Sequence, residues 1–496
     1  MAGLWVKKSL EQLRQEAQES EHSLRRALGP VALVSLGIGA IVGAGIFVLS
    51  GIAAQHTGPA LVLSVILSGV GCAFAGLCYA EFAAMIPVAG SAYTYSYASV
   101  GEFLAWIIGW DLILEYAVGA TTVSIGWSGY LISFLQRTLH LPFPAELSAS
   151  PWETLTLADG TVIHPYFNLP AAFIIAVVTS LLVIGIRESA RFNNVIVFVK
   201  VLVVVLFIVV GAFYVNRGNW VPFLPPNQGE FGEFGISGVL RGAGIIFFAY
   251  IGFDAVSTAA QEARNPERDM PIGILGSLAI CTVLYIAVVL VLTGIIHFSQ
   301  LNVADPLAVA IDSTPARSWL SPLVKLGALL GTTAVILVML LGQTRVFYSM
   351  ANDGLLPKVF SEIHPRFRTP YKSTLLTGAC VALAGGLMPL RVVGELVSIG
   401  TLLAFVIVSG SVVAMRRMRP GVPRPFRTPM VWFVGPMGML VCLAQMIALP
   451  GDTWLRLFIW MLIGLMIYFF YGRRHSLLQK KAASEAGTLP QGPQSS

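Results

Sequence analysis

The chain has 496 residues, 56% of them hydrophobic and only 11% charged, with a mean hydropathy of +0.78. Soluble chains carry about 25% charged residues, so a water-soluble globular protein is excluded, and apolar runs recurring along almost the whole length mark a polytopic membrane protein. The net charge of +6 and pI of about 9.1 require no nucleic-acid partner, because the basic residues collect in the short polar segments between the runs.

Twelve runs are predicted to cross a bilayer as helices: roughly 31–55, 60–86, 101–135, 169–186, 194–215, 236–261, 272–296, 322–348, 374–389, 393–415, 430–449 and 454–472. The third is long enough to tilt, the ninth is short, and strand-period alternation is absent, which excludes a β-barrel. With the N-terminus inside, cytoplasmic segments and run ends hold 23 of the 31 Lys and Arg residues, external segments and run ends hold seven, and Lys200 lies within run five. That asymmetry predicts cytoplasmic N- and C-termini. Cys72, Cys78, Cys281, Cys380 and Cys442 all fall within runs and show no CxxC spacing, so they read as packing residues. The N-terminal tail lacks the apolar core of a cleaved signal. The residues after about Lys480 are small and polar, a composition that predicts disorder.

Two runs are interrupted in matching places. "GIGAIVGAGIF" (Gly37 to Phe47) carries four glycines, and "FFAYIGFDAVS" (Phe247 to Ser257) places Gly252 and Asp254 near mid-membrane. Runs one and six begin two five-run units of opposite orientation, the arithmetic of an inverted repeat with broken helices at a midplane site. An unwound segment frees backbone groups that can hold a ligand where they face protein or water. A half-helix starting near Gly43 would turn its N–H end toward an anion. The N–H groups of Ala44 and Gly45 are candidates for a carboxylate, and the C=O of Ile41 for an ammonium. The alternative is close helix packing through the Gly39–Gly43 pair. The spacing does not make a phosphate loop.

"GIGAIVGAGIF" with "GPA" at 58–60, "FFAYIGFDAVSTAAQEARNPERDMPIGI" at 247–274 and "GQTRVFYSMANDGLLP" at 342–357 resemble amino acid permeases. More narrowly, they are similar to the bacterial branch of the cationic amino acid transporter family, in the amino acid–polyamine–organocation superfamily. The similarity runs from about Leu28 to His475. It implies an all-α, LeuT-type fold of twelve transmembrane helices. A ten-helix core at 31–415 would form a 5+5 inverted repeat, about 31–215 and 236–415. Two peripheral helices would follow at 416–472, between cytoplasmic tails at 1–30 and 473–496.

Carbonyls freed around Phe248, Ala249 and Ile251 are expected to receive the substrate ammonium, and the resemblance implies that Phe248 closes over the ligand. Asp254 must face protein or water at that depth, either capping the broken helix or carrying a proton. Lys200 falls about two turns inside run five, where snorkelling is one reading. In some family members a lysine at this place resembles a substitute for the sodium ion that relatives bind between spans one and eight. A desolvated lysine loses its proton more easily than one in water. Asp111 and Glu115 lie four residues apart on one face of run three. They can pair with a base, form part of a proton path or attract a cationic side chain, and structural hydrogen bonding is the expected role of Asp111. The resemblance places Met339 in the side-chain pocket, where eukaryotic relatives look to have a small residue; a methionine there favours alanine-sized substrates. The segments 262–271 and 345–357 read as helix ends and turns that can pair to close an inner gate.

The expected function is proton-coupled symport of small neutral L-amino acids such as alanine, by alternating access in the plasma membrane, with no cofactor and no metal. The rivals are a cationic amino acid (arginine or lysine) transporter, an exchanger, and a non-transporting amino acid sensor. An enzyme is disfavoured because all seven histidines lie in tails, loops or run ends without an HExxH or clustered pattern. A channel is disfavoured because no filter motif or ring of charge is evident.

Overall fold

In hydrocarbon an unpaired backbone N–H or C=O costs several kcal/mol, so a long apolar run has one stable solution, the helix. The computed structural model describes residues 7–8, 28–86, 91–156, 161–185, 190–227, 229–258, 260 and 263–485. Run one is three pieces in series: α1 (Pro30–Ile41), a π-helix at Gly45–Leu49, and α2 (Ser50–Thr57). A turn at Gly58–Pro59 leads to α3 (Leu61–Met85). A helix that hydropathy did not indicate follows, α4 (Ser91–Ser99). Next, α5 (Glu102–Ile113) continues through a π-helical turn at Leu114–Val118 into α6 (Gly119–Ser133). The chain then forms α7 (Leu169–Ile184), α8 (Ala190–Ala212), α9 (Gly235–Ile246) and the short α10 (Ala255–Thr258). It goes on with α11 (Pro266–Ile295), a short, mostly buried helix α12 (Pro306–Asp312), and α13 (Arg317–Asn352). The last elements are α14 (Tyr371–Leu387), α15 (Leu390–Met418), α16 (Val431–Ile447), α17 (Gly451–Ile467) and α18 (Leu477–Glu485).

Among the described residues, seven stretches are long and apolar enough to cross a membrane, and the first, Pro30–Met85, includes both run one and run two. Leu169–Ile184, Gly235–Tyr250 and Val431–Ile447 are shorter apolar helices. The ninth run forms a helix of 17 residues, Tyr371–Leu387. Arg187 and Glu262 lie outside the described residues.

Local chemistry fixes several of these boundaries. Pro stands in the first turn of α1, α7, α11 and α12, where its missing N–H has no intrahelical role. Asn168 caps α7, accepting the Ala171 N–H at 3.2 Å, and the same Oδ1 accepts the Ser128 hydroxyl at 2.6 Å, which joins α7 to α6. In the bundle α11 packs on α3 and α1, while α13 packs on α6 and α8. The twelfth run attaches to the third through indoles: Trp106 and Trp110 donate to the carbonyls of Gly464 and Trp460, each at 2.9 Å, and Trp110 stacks on Trp460 with centroids 4.7 Å apart. Cys72, Cys78, Cys281 and Cys442 are buried among helices, whereas Cys380 is exposed on α14.

One end of the bundle is tied together by two acids. Glu102, fully buried at the start of α5, accepts from the hydroxyls of Tyr97 (2.9 Å), Tyr468 (3.0 Å) and Ser476, and from the Gln479 amide (3.3 Å). Asp353 accepts the Tyr93 hydroxyl at 2.6 Å and pairs with Lys8 at 2.6 Å, and its carbonyl accepts the Leu477 N–H at 3.1 Å. Segments 262–271 and 345–357 each contact the N-terminal part of the chain. Arg264 donates its N–H to the Leu28 carbonyl at 2.9 Å, and Asp353 holds Lys8.

Candidate functional site

Both interrupted runs are broken helices. α1 stops at Ile41, Val42 is extended (φ −72°, ψ 94°), and helix resumes at Ala44. In run six, α9 passes into a 3₁₀ turn at Phe247–Tyr250, Ile251 is extended, Gly252 takes φ +120°, and α10 follows. Leu and Ile adopt such a positive φ only under strain, whereas glycine adopts it freely. The breaks lie against each other. A Cβ added at Gly45 would stand 2.0 Å from the Ala249 Cα, and one at Gly252 would stand 2.7 Å from the Ala40 carbonyl carbon. Side chains at either position would push the two unwound segments apart.

Ile41, Gly43, Ala44, Gly45, Phe248, Ala249 and Ile251 are all buried at this junction. The first N–H groups of the half-helix that resumes at Ala44 have no intrahelical acceptor by geometry. The Phe248 carbonyl accepts the Ile251 N–H at 3.1 Å, which leaves it less free than the sequence suggests. Met339 on α13 is buried with its sulfur 3.0 Å from where a Cβ at Gly119 would stand, and Val335 borders Gly43. Val335 is thus the side chain of span eight that borders the first break, whereas Met339 stands against Gly119 of α6.

Lys200 lies deeper than two turns. It is ten residues from the start of α8, about 15 Å along the helix axis. It does not snorkel: its side chain is fully buried, and the ammonium donates to the carbonyl of Gly39 and, at 3.0 Å, to that of Val42. Its stem touches Gly331 of α13, so the charge stands between runs one and eight and neutralises the carbonyl end of α1.

Asp254 caps the break in run six. Its Oδ1 accepts the Gly252 N–H at 3.2 Å, and its Oδ2 accepts the Tyr116 hydroxyl at 2.8 Å. Glu115 and Asp111 are buried on the same side; the carboxyl oxygens of Asp111 find no hydrogen-bond partner among the described residues, and Glu115 faces Asp254. Neither acid forms an ion pair among the described residues. The structure brings Glu115, Tyr116 and Asp254 together, with Asp111 one turn away on α5 beside Gly400.

Three tyrosines escaped the sequence reading. Tyr285 of α11 bonds the carbonyls of Ile41 (2.8 Å) and Ala249 (2.9 Å), Tyr130 of α6 donates to the Phe47 carbonyl (2.7 Å), and Tyr116 reaches Asp254. A tyrosine in an aliphatic run is a usable signal, since a buried phenol must find an acceptor and a broken helix nearby supplies carbonyls.

The amino acid permease family model matches residues 28–471. The methylthioribose transporter of Bacillus subtilis (strain 168) is 45% identical over 482 residues, 97% of this chain and 100% of that protein. The branched-chain amino acid permease BcaP of the same organism is 46% identical over 478 residues, covering 96% and 98%. The vacuolar cationic amino acid transporter 4 of Arabidopsis thaliana is 38% identical over 425 residues, covering 85% of this chain and 69% of that protein. A multi-pass helical chain with paired helix breaks, matched along nearly its full length by these transporters, belongs to the amino acid permease family, as a bacterial member close to the cationic amino acid transporters.

Proposed function

We propose that the protein is a proton-coupled symporter of small neutral L-amino acids, alanine foremost, working by alternating access. In this reading twelve transmembrane helices cross the plasma membrane with both termini cytoplasmic. The first ten form a LeuT-type 5+5 repeat over about 31–215 and 236–415, and residues 416–472 add two peripheral helices. The observation that carries the reading is the contact between the two breaks at Gly45 and Ala249, with Lys200 bound to the carbonyls of the first break.

The substrate carboxylate would sit on the N–H groups of Ala44 and Gly45, at the positive end of a half-helix. Its ammonium would meet the carbonyls of Ile41, Ala249 and Ile251. Phe248 would close over it, and Met339 would limit the side chain. Lys200 would couple protons: when it discharges, its hold on Gly39 and Val42 weakens and α1 is free to tilt. Asp254, Glu115 and Asp111 would form a path by which protons reach or leave the junction. No metal or cofactor enters this cycle; the proton gradient drives it.

A second reading is favoured by the 46% identity to a branched-chain amino acid permease: a larger aliphatic side chain fits the same apolar wall of Met339 and Val335. Uptake into proteoliposomes, with alanine, leucine and arginine as competitors, tests both. Alanine competition together with a fall in uptake when the pH gradient is collapsed supports the proposal. Stronger competition by leucine supports the second reading. Competition by arginine alone, or indifference to the gradient, overturns the first.

A further inference from the structure

The hydroxyl of Tyr285 lies 2.8 Å from the carbonyl oxygen of Ile41 and 2.9 Å from that of Ala249. The first carbonyl ends α1 and the second belongs to the break in run six, so one phenol from a third helix bridges both unwound segments. The ring is fully buried. It is set edge-on against Tyr250, centroids 5.4 Å apart, and Tyr250 is itself anchored by donating to the Val65 carbonyl at 2.9 Å. Tyr285 is therefore held in place from behind.

A hydroxyl carries one proton and two acceptor lone pairs, and a carbonyl oxygen has two lone pairs. Tyr285 can donate to only one of its two carbonyls at a time. The other carbonyl, and the phenol oxygen itself, are left as acceptors at the same point. Ile41 adds the partial negative charge of a helix C-terminus. Three oxygens with at most one proton among them make a receptor for a group that brings several donors and positive charge.

We propose that Tyr285 is the positioning residue of the ammonium half of the site, and that it makes the site selective for a primary ammonium. The phenol gives its proton to one carbonyl and accepts one substrate N–H, while the second carbonyl accepts another. Each methyl group added to the substrate nitrogen removes a donor and brings bulk against a fixed ring. The proposal rests on the reading that the substrate is an α-amino acid.

The test compares the parent protein with Tyr285→Phe in proteoliposomes, using alanine, N-methylalanine and N,N-dimethylalanine as substrates and competitors. In the parent, affinity should fall about tenfold with each methyl group, the scale of one hydrogen bond to a charged group. Tyr285→Phe should raise the KM for alanine about tenfold, keep Vmax within about twofold, and reduce the preference for alanine over N-methylalanine, because one acceptor is gone. A merely structural role would lower Vmax and melting temperature and leave the preference intact, which overturns the proposal. Should Tyr285→Phe fail to fold, the parent decides: equal affinity for alanine and N-methylalanine overturns the proposal. A parent that binds no amino acid overturns both this inference and the functional reading. A parent that transports alanine beside a Tyr285→Phe variant with unchanged KM and preference overturns the inference alone.

Discussion

The Tyr116 hydroxyl donates to Oδ2 of Asp254 at 2.8 Å, while the Gly252 N–H donates to Oδ1 at 3.2 Å. One carboxylate thereby joins the π-helical turn of run three to the break of run six. Removing the phenol takes one hydrogen-bond donor from a buried carboxylate, a loss of about 1–3 kcal/mol where nothing replaces it. Tyr116→Phe is expected to lower the melting temperature in detergent and to reduce uptake. Melting and uptake equal to the parent would show that the bond contributes nothing.

Lys200→Met keeps most of the side-chain volume and removes the donors to Gly39 and Val42. Under the symport reading, alanine accumulation driven by an imposed pH gradient should fall at least about tenfold, while counterflow of labelled alanine persists if the site still forms. Gradient-driven accumulation at the parental level would remove Lys200 from the coupling step.

Gly45→Ala and Gly451→Ala make a matched pair. The first methyl group meets the backbone of Ala249 at 2.0 Å, and the second has nothing within 4 Å. Gly45→Ala should abolish measurable alanine binding or destabilise the fold by more than about 1–3 kcal/mol, the usual cost of overpacking. Gly451→Ala, at the exposed first residue of α17, should leave stability unchanged or raise it by about 0.4–1 kcal/mol. Isothermal binding and thermal unfolding on both variants check the contrast.

Asp305 directly precedes α12, outside the crossing helices, and burial pushes its carboxyl up to about 6, against Ser133, Arg137 and Lys325, which hold it down, and with Asp312 pushing it further up. Its native form binds a proton more tightly than its unfolded form, so its contribution is complete below about pH 4 and is lost as pH rises through about 6. A difference of about two units corresponds to roughly 3 kcal/mol, an upper figure given neighbouring charges. Melting curves between pH 4 and pH 8 should fall more steeply for the parent than for Asp305→Asn. Parallel curves would show that Asp305 does not titrate there.

Hydropathy is a local property, and what depends on it was legible. Run two was read as 60–86 and is Leu61–Met85, and both breaks fall at the glycines that suggested them. What each polar side chain bonds is not local. Lys200 looked close to a helix end because the start of α8 is polar, yet it bonds carbonyls of run one, about 160 residues earlier. Nothing local to Glu102 tells that its donors come from α4 and from beyond α17. The small helix α4 carries no long apolar run, being rich in Tyr and Ser, and so left no hydropathy trace.

The arrangement around Glu102 also orders biosynthesis. Ser476 follows it by 374 residues, which a ribosome working at about 5–20 residues per second takes roughly 20–75 s to deliver. Among the described donors to this carboxylate, Tyr97 alone comes from its own neighbourhood. Its burial is completed by Tyr468, Ser476 and Gln479, among the last described parts of the chain to emerge. A nascent chain stopped short of residue 468 would hold that acid without its last three partners.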